Sequence, residues 1–225
     1  MFRSIPIALT LAVLASAPLR ADDGPMQILS AKVATKPIGT TTPVDPQVVL
    51  AKANGYFNDA STMIADFVQI GGDGRRTDGK LYIERPGHMR FAYAPPATLE
   101  IVADGTSVAV IDRKLHTQDL YFIGQTPLKF LLNDNIDLAR ETKLLDITGD
   151  GDGGASIDIE DKSTFGGTSK VKLTFGLQPF GLKQWTVTDP QGYETVVSLS
   201  NIDLSTKPDP ALFKINTERM LNSRK

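Results

Sequence analysis

The chain has 225 residues, 24 basic and 26 acidic, a formal net charge of −2, no cysteine, and only two histidines, His88 and His116. This composition excludes a disulfide scaffold, a thiolate metal site and a cysteine nucleophile, and two histidines do not make a histidine-rich metal centre. The slightly acidic balance argues against nucleic acid, whose binding calls for a basic face. An apolar content of 41% is that of an ordinary globular chain, here long enough for one domain or two small ones.

Residues 1–21 read as a secretory signal peptide. Arg3 supplies the positive start, Ile5 to Ala17 is an apolar run broken only by Pro6, Thr10 and Ser16, and the small Ala21 precedes Asp22-Asp23. A run of about 13 residues is too short to span a bilayer, which takes roughly 20. The alternative is an uncleaved membrane anchor. Cleavage after Ala21 removes Arg3 and Arg20 and leaves 204 residues with a net charge of −4. The expected product is exported and soluble. Residues 22–44 read as a flexible linker: Pro37, Gly39, Thr40-Thr41-Thr42 and Pro43 offer too little burial to repay ordering. The alternative is an arm docked through Ile28, Leu29 and Val33.

A helix is expected next. Asp45 suits an N-cap and Pro46 the first helical position. Val49, Ala53 and Tyr56 share a face, with Leu50 and Phe57 alongside, and Asn54-Gly55 weakens the end. The period then changes to two. Met63, Ala65, Phe67 and Gln69 alternate with Ile64, Asp66, Val68 and Ile70, and Gly71 to Gly74 make a turn. Residues 79–85 form the next strand, interrupted at Pro86-Gly87. Met89, Phe91 and Tyr93 share a face of the strand that Pro95-Pro96 ends. Leu99 to Ala103 pairs with Ser107 to Asp112 through Asp104-Gly105, a strong hairpin signal. A short strand is expected over 120–123.

At 126–132 the pattern predicts a short amphipathic helix, with Thr126 as cap, Pro127 first, and Leu128, Leu131 and Leu132 at i, i+3, i+4. Strands resume at 142–148, 155–160, 169–175, 182–189 and 193–200, and Leu212 to Ile215 reads as a last strand. The total is ten or eleven strands and two or three helices, in one long antiparallel meander.

No catalytic constellation is present in the sequence: no nucleophile elbow, no phosphate-cradling glycine loop, no paired zinc histidines. The loop from Gly149 to Gly154 holds Asp150 and Asp152, but Ile159 stands where a calcium loop needs a glutamate, so it reads as a solvated turn. Asp158 and Glu160 lie on one outward strand face. His88 and His116 read as surface residues and Trp185 as core. Arg85 stands out because it shares a strand face with Leu81 and Ile83. Either its guanidinium points into an apolar region, where it needs acceptors, or it turns out to solvent before Pro86.

The stretch Gly79-Lys80-Leu81-Tyr82-Ile83-Glu84-Arg85-Pro86-Gly87-His88-Met89-Arg90-Phe91 resembles the signature of the periplasmic outer-membrane lipoprotein carriers, the LolA family. Further matches come in the family's order: Ala65 to Gln69, Tyr93 to Pro96, Ile101 to Gly105, Thr126 to Leu132, Gly181 to Val187 and Leu212 to Ile215. The resemblance covers roughly residues 46–216. The sequence departs from the family in Met89, where many relatives carry an aromatic residue, in a longer 22–44 arm, and in a tail without the common Pro-Gly ending.

The resemblance implies a mainly β fold with a helical lid. It is a curved, unclosed antiparallel β-barrel, or half-barrel, of about eleven strands, with two to three helices covering a hydrophobic cavity. The carrier domain is expected over 45–218 and a flexible tail over 219–225. The implied function is a non-enzymatic periplasmic chaperone that binds the acyl chains of lipoproteins. It collects them from an inner-membrane lipoprotein-releasing ABC transporter and hands them to an outer-membrane acceptor. No cofactor, metal or nucleic acid is implied, and a monomer is expected.

The resemblance makes Arg85 the latch to the lid. Alternation then offers Phe67, Leu81, Ile83, Met89, Phe91 and Tyr93 on the sheet, and Leu128, Leu131 and Leu132 on the lid, as acyl-chain cavity residues. Two other functions suit the same fold: a carrier of another amphiphile such as a phospholipid or glycolipid, and a regulatory protein that senses lipid or peptide.

Overall fold

The computed structural model describes residues 44–127, 129–150, 153–164 and 167–216. The expected leader at 1–21, the expected linker up to residue 43, Leu128 and the expected tail at 219–225 lie outside the described residues.

Helix α1 runs Pro46–Asp59. Asp45 caps it, its carboxylate accepting from the Gln47 and Val48 backbone N–H groups at 2.9 and 3.4 Å. Its buried side chains are Val49, Ala53 and Phe57, four residues apart along one stripe. The helix passes through Asn54-Gly55 rather than ending there. The reason is tertiary: the asparagines of its last two turns bond a distant segment, as described below, which offsets their weak helical preference.

Eleven antiparallel strands follow. They are β1 Thr62–Ile70, β2 Arg76–Glu84, β3 His88–Tyr93, β4 Leu99–Asp104, β5 Ser107–Asp112 and β6 Thr117–Phe122, then β7 Lys143–Asp150, β8 Gly154–Thr164, β9 Gly167–Leu177, β10 Phe180–Thr188 and β11 Glu194–Asp203. Their spatial order is β6-β5-β4-β3-β2-β1-β11-β10-β9-β8-β7. Two hairpin meanders are thus joined where β1 pairs with β11, and among the described residues no strand pairs with the outer edge of β6 or β7, so the sheet is not closed.

The sheet curls tightly. Phe91 on β3 and Trp185 on β10 are four strand spacings apart, about 19 Å in a flat sheet. Their ring centroids are 6.3 Å apart, edge to face. Register shifts at Ile64/Asp66, Leu182/Gln184 and Leu144/Asp146 add the bends that such curvature needs. The main core fills the concave side: Phe67, Leu81, Phe91, Leu173, Phe175, Leu182 and Trp185 are buried there with Val49, Ala53 and Phe57 of α1.

Two expected elements differ. Residues 126–132 form no α-helix. A 3-10 turn over Ile123–Gln125 is followed by another over Lys129–Leu132. Thr126 is the C-cap of the first turn and not the N-cap of a helix; its backbone N–H and, at 2.8 Å, its hydroxyl donate to the Ile123 carbonyl. The polar run Asn133-Asp134-Asn135 then leaves too few residues for an α-helix to grow. A one-turn helix, α2 Leu138–Glu141, is present instead, capped by Asp137.

The end of the chain makes no last strand. Pro210–Phe213 is a 3-10 turn capped by Asp209, which accepts from the Ala211 N–H at 2.8 Å. The Asp-Pro pair that starts α1 is repeated here. Phe213 is buried on the outer side of β3 and β4, and the Leu212 carbonyl accepts from Arg90 Nη1 at 3.0 Å. His88, expected on the surface, opens β3 half-buried, with its ring against Phe213 at 5.5 Å.

The turn between β2 and β3 ties distant parts together. The Arg85 N–H donates to the Ser61 carbonyl at 2.7 Å, the Gly87 N–H to the Leu132 carbonyl at 2.8 Å, and the Gly105 N–H to the Gly87 carbonyl at 3.1 Å. Gly87 sits at φ +80, and a Cβ on it would come within 2.6 Å of Gly105 Cα. A Gly87→Ala substitution should therefore lose about 1–3 kcal/mol of stability, read as a lower midpoint in urea unfolding; an unchanged midpoint would show that the turn relaxes freely.

Candidate functional site

The concave face holds the site. In β1 and β3 the period of two points Phe67, Met89, Phe91 and Tyr93 inward, and in β2 Leu81 and Ile83. Gly79 stands between Phe67 and Tyr93 in the strand register. It adds no side chain, and a Cβ there would lie 2.8 Å from Tyr93 Cα. The rings of Phe67 and Tyr93 meet over this gap at 5.1 Å, nearly perpendicular.

Two spaces open under the segment 123–138. The smaller, about 10 Å³, is lined by Phe57, Met63, Ile83, Arg85, Leu131, Leu182 and Trp185. It holds no more than one water. The larger, about 280 Å³, is lined by Met89, Phe91, Ile101, Val108, Trp185 and Val197, with Gln69, Tyr121, Thr126, Asp189 and Tyr193 adding polar groups.

Of the sheet residues named from the sequence, Met89 and Phe91 line the larger space and Ile83 the smaller. Phe67, Leu81 and Leu132 are packed in the core and line neither space; Tyr93 packs against that core. Leu131 lines the smaller space. Leu128 lies outside the described residues. Trp185 is buried, as its apolar character suggests, and also borders both spaces.

Arg85 follows the last residue of β2 and is half-buried beside the smaller space. Its Nη2 donates to the Ala60 carbonyl at the C-terminal end of α1. Burial pulls its pKa below the usual arginine value, opposed by Tyr56 and Asp134. The acceptor is thus a free carbonyl of a helix end, where positive charge is favoured.

Three further contacts hold the covering segment, and sequence reasoning did not single them out. Asn58 on α1 donates from Nδ2 to the Ile136 carbonyl and accepts the Ile136 N–H on Oδ1, both at 2.8 Å. Asn54, one turn earlier, accepts the Leu138 N–H at 3.2 Å. Lys129 reaches across to Asp161 on β8 at 2.9 Å, with the carboxylate buried. The i, i+4 asparagine pair on one helix face was the available signal. It passed for a weak helix end.

The family model for the outer membrane lipoprotein carrier protein LolA matches residues 58–216, more than two thirds of the chain. This chain belongs to the LolA family. An outer-membrane lipoprotein carrier protein of Dechloromonas aromatica is 29% identical over 168 residues, covering 71% of this chain and 79% of that one. One from Methylococcus capsulatus is 27% identical over 180 residues, covering 74% and 82%. The crystal structure of a LolA superfamily protein from Nitrosomonas europaea aligns with a TM-score of 0.42 and 12% identity, over 77% of this chain and 99% of that one. As a LolA-family member the chain is a lipoprotein carrier and not an enzyme, and the family implies the periplasm. Among the described residues no helix is long and apolar enough to cross a membrane.

Two outcomes are expected. Asn58→Ala removes both partners of the buried Ile136 backbone, which should lower stability by about 1–3 kcal/mol and speed hydrogen exchange at Ile136; unchanged exchange there would remove Asn58 from the latch. Burial pushes the Tyr93 hydroxyl up to about 12. Because this folded value lies above the unfolded one, the stability it contributes is full below about pH 10 and falls as pH rises towards 12. Absorbance titration of the phenolates should show a late step that Tyr93→Phe deletes.

Proposed function

We propose that this LolA-family chain shields the acyl chains of lipoproteins in its concave cavity while carrying them through the periplasm. It takes them from an inner-membrane lipoprotein-releasing ABC transporter and passes them to an outer-membrane acceptor. The carrier unit spans 45–218, delivered by the leader at 1–21. The observation that carries this reading is an apolar space of about 280 Å³ roofed by a segment held through polar contacts.

An acyl chain of about 16 carbons in water is unfavourable by roughly 13 kcal/mol, at ~0.8 per methylene. An apolar cavity offsets that. The space present falls just below the roughly 300–1,000 Å³ common for small-molecule sites, so a long chain enters only if the cavity widens. Leu131, Leu132, Ile136 and Leu138 pack the covering segment on the core, and the polar contacts that fix it in place are few: Arg85 to Ala60, Asn58 to Ile136, Lys129 to Asp161. Such contacts set a closed–open difference of a few kcal/mol, small enough for cargo to overturn and for release to restore. A seal made only by apolar packing would be harder to reverse.

Arg85→Leu keeps the bulk of the side chain and removes the bond to Ala60. The open population should rise, and apparent affinity with it, by about tenfold for a charged hydrogen bond of roughly 1.5 kcal/mol. Release to outer-membrane vesicles should slow accordingly. Unchanged loading and release would exclude Arg85 as a latch. Native mass spectrometry of protein taken gently from a periplasm identifies the cargo: masses of triacylated lipoproteins are expected, and phospholipid masses alone would reassign it.

A further inference from the structure

The larger cavity is apolar over most of its wall, yet Gln69 is built into it. Gln69 lies on β1 and is held from β3: the Tyr93 hydroxyl donates to Gln69 Oε1 at 2.8 Å. The two backbones are two strand spacings apart, about 10 Å. The bond runs diagonally across β2, from the level of Gly79, which is opposite Tyr93 and carries no side chain, to that of Thr77, which is opposite Gln69. Three adjacent strands thus cooperate to place one carboxamide.

We infer that Gln69, oriented by Tyr93, is a specificity-determining donor that reads the ester carbonyl of an acylated glycerol in the cavity. With Oε1 taken by Tyr93, the amide hydrogens on Nε2 are what Gln69 has left to offer, and among the described residues Nε2 makes no hydrogen bond. A donor placed for an ester carbonyl oxygen finds no acceptor at that point in a diether, whose acceptors are the oxygens within the chain itself, and none at all in a methylene. Two other polar groups at the cavity, Asp189 and Thr126, are engaged elsewhere. Asp189 accepts the N–H groups of Gln191 and Tyr193 in its own turn, both at 2.9 Å, and the Thr126 hydroxyl donates to Ile123. Tyr93 stays protonated at any physiological pH, since burial holds its hydroxyl at about 12.

This inference rests on the acyl-cavity reading and adds to it the point on the cargo that the cavity recognises. Chain burial supplies affinity without selectivity; one oriented donor at a fixed place distinguishes an acylated amphiphile from a hydrocarbon of equal size.

The test uses the mature chain, an environment-sensitive dye in the cavity, and two competitors of equal chain length: dioctanoylglycerol, a diester, and dioctylglycerol, its diether. The ratio of ester to ether affinity is read in the wild type, Gln69→Leu and Tyr93→Phe. The ratio is expected to fall about 3–10-fold in Gln69→Leu, the worth of one neutral hydrogen bond. Tyr93→Phe should lie between. Ether binding that persists in Gln69→Leu shows that the variant is folded. An unchanged ratio in Gln69→Leu overturns the inference and leaves the cavity reading standing. Failure of both competitors to displace dye from the wild type overturns the cavity reading and this inference with it.

Discussion

The contact between Phe91 and Trp185 can exist only if strands four places apart in one sheet bend until they face each other. That bending is the constraint on which the rest depends. An eleven-strand sheet with one apolar face has too much of that face for two short helices to cover. Curling lets the face cover itself, so α1 and the 123–138 segment need only fill the mouth. The curl also creates the two spaces, because side chains from opposite walls meet at some levels and not at others. Trp185 closes one level and borders the gap at the next.

The covering segment shares the burial of the core, since Leu131, Leu132, Ile136 and Leu138 are packed in it. That burial is large and non-directional. The segment adds directional bonds to backbone groups: Asn58 to Ile136, Gly87 to Leu132, Asn54 to Leu138, with the Lys129–Asp161 ion pair beyond. Each such bond is worth little net while made, so burial supplies the strength of the seat and the bonds fix its place. The Arg85-Pro86-Gly87 turn lies at a junction, since it bonds α1's exit, the segment and the β4–β5 hairpin at once.

Much of this was legible in the sequence. The strands and their inward residues follow from the alternation at Met63 to Gln69 and Met89 to Tyr93, because one buried face forces a period of two. Asp45-Pro46 marked α1 for the same local reason. The segment after Thr126 was misread because the leucine spacing of a short α-helix and of a 3-10 turn with buried ends is nearly the same over four residues. The tail was misread because Leu212 and Phe213 are apolar for a different purpose, covering the outer face of β3 and β4. Asn54, Asn58 and the Gln69–Tyr93 bond were hidden for a deeper reason. Their partners are set by the curl, and a lone sequence does not say which strands will face each other.

The outer edges of β6 and β7 carry one more consequence. In a closed barrel, strand number and stagger fix the girth, and no guest can alter it without breaking rungs of the ladder. Here, among the described residues, no rung of the ladder joins β6 to β7, so the strand pairs by themselves do not set the girth. Width is left to the side chains that meet inside the curl and to the segment tied across its mouth, which are matters of packing and not of strand count.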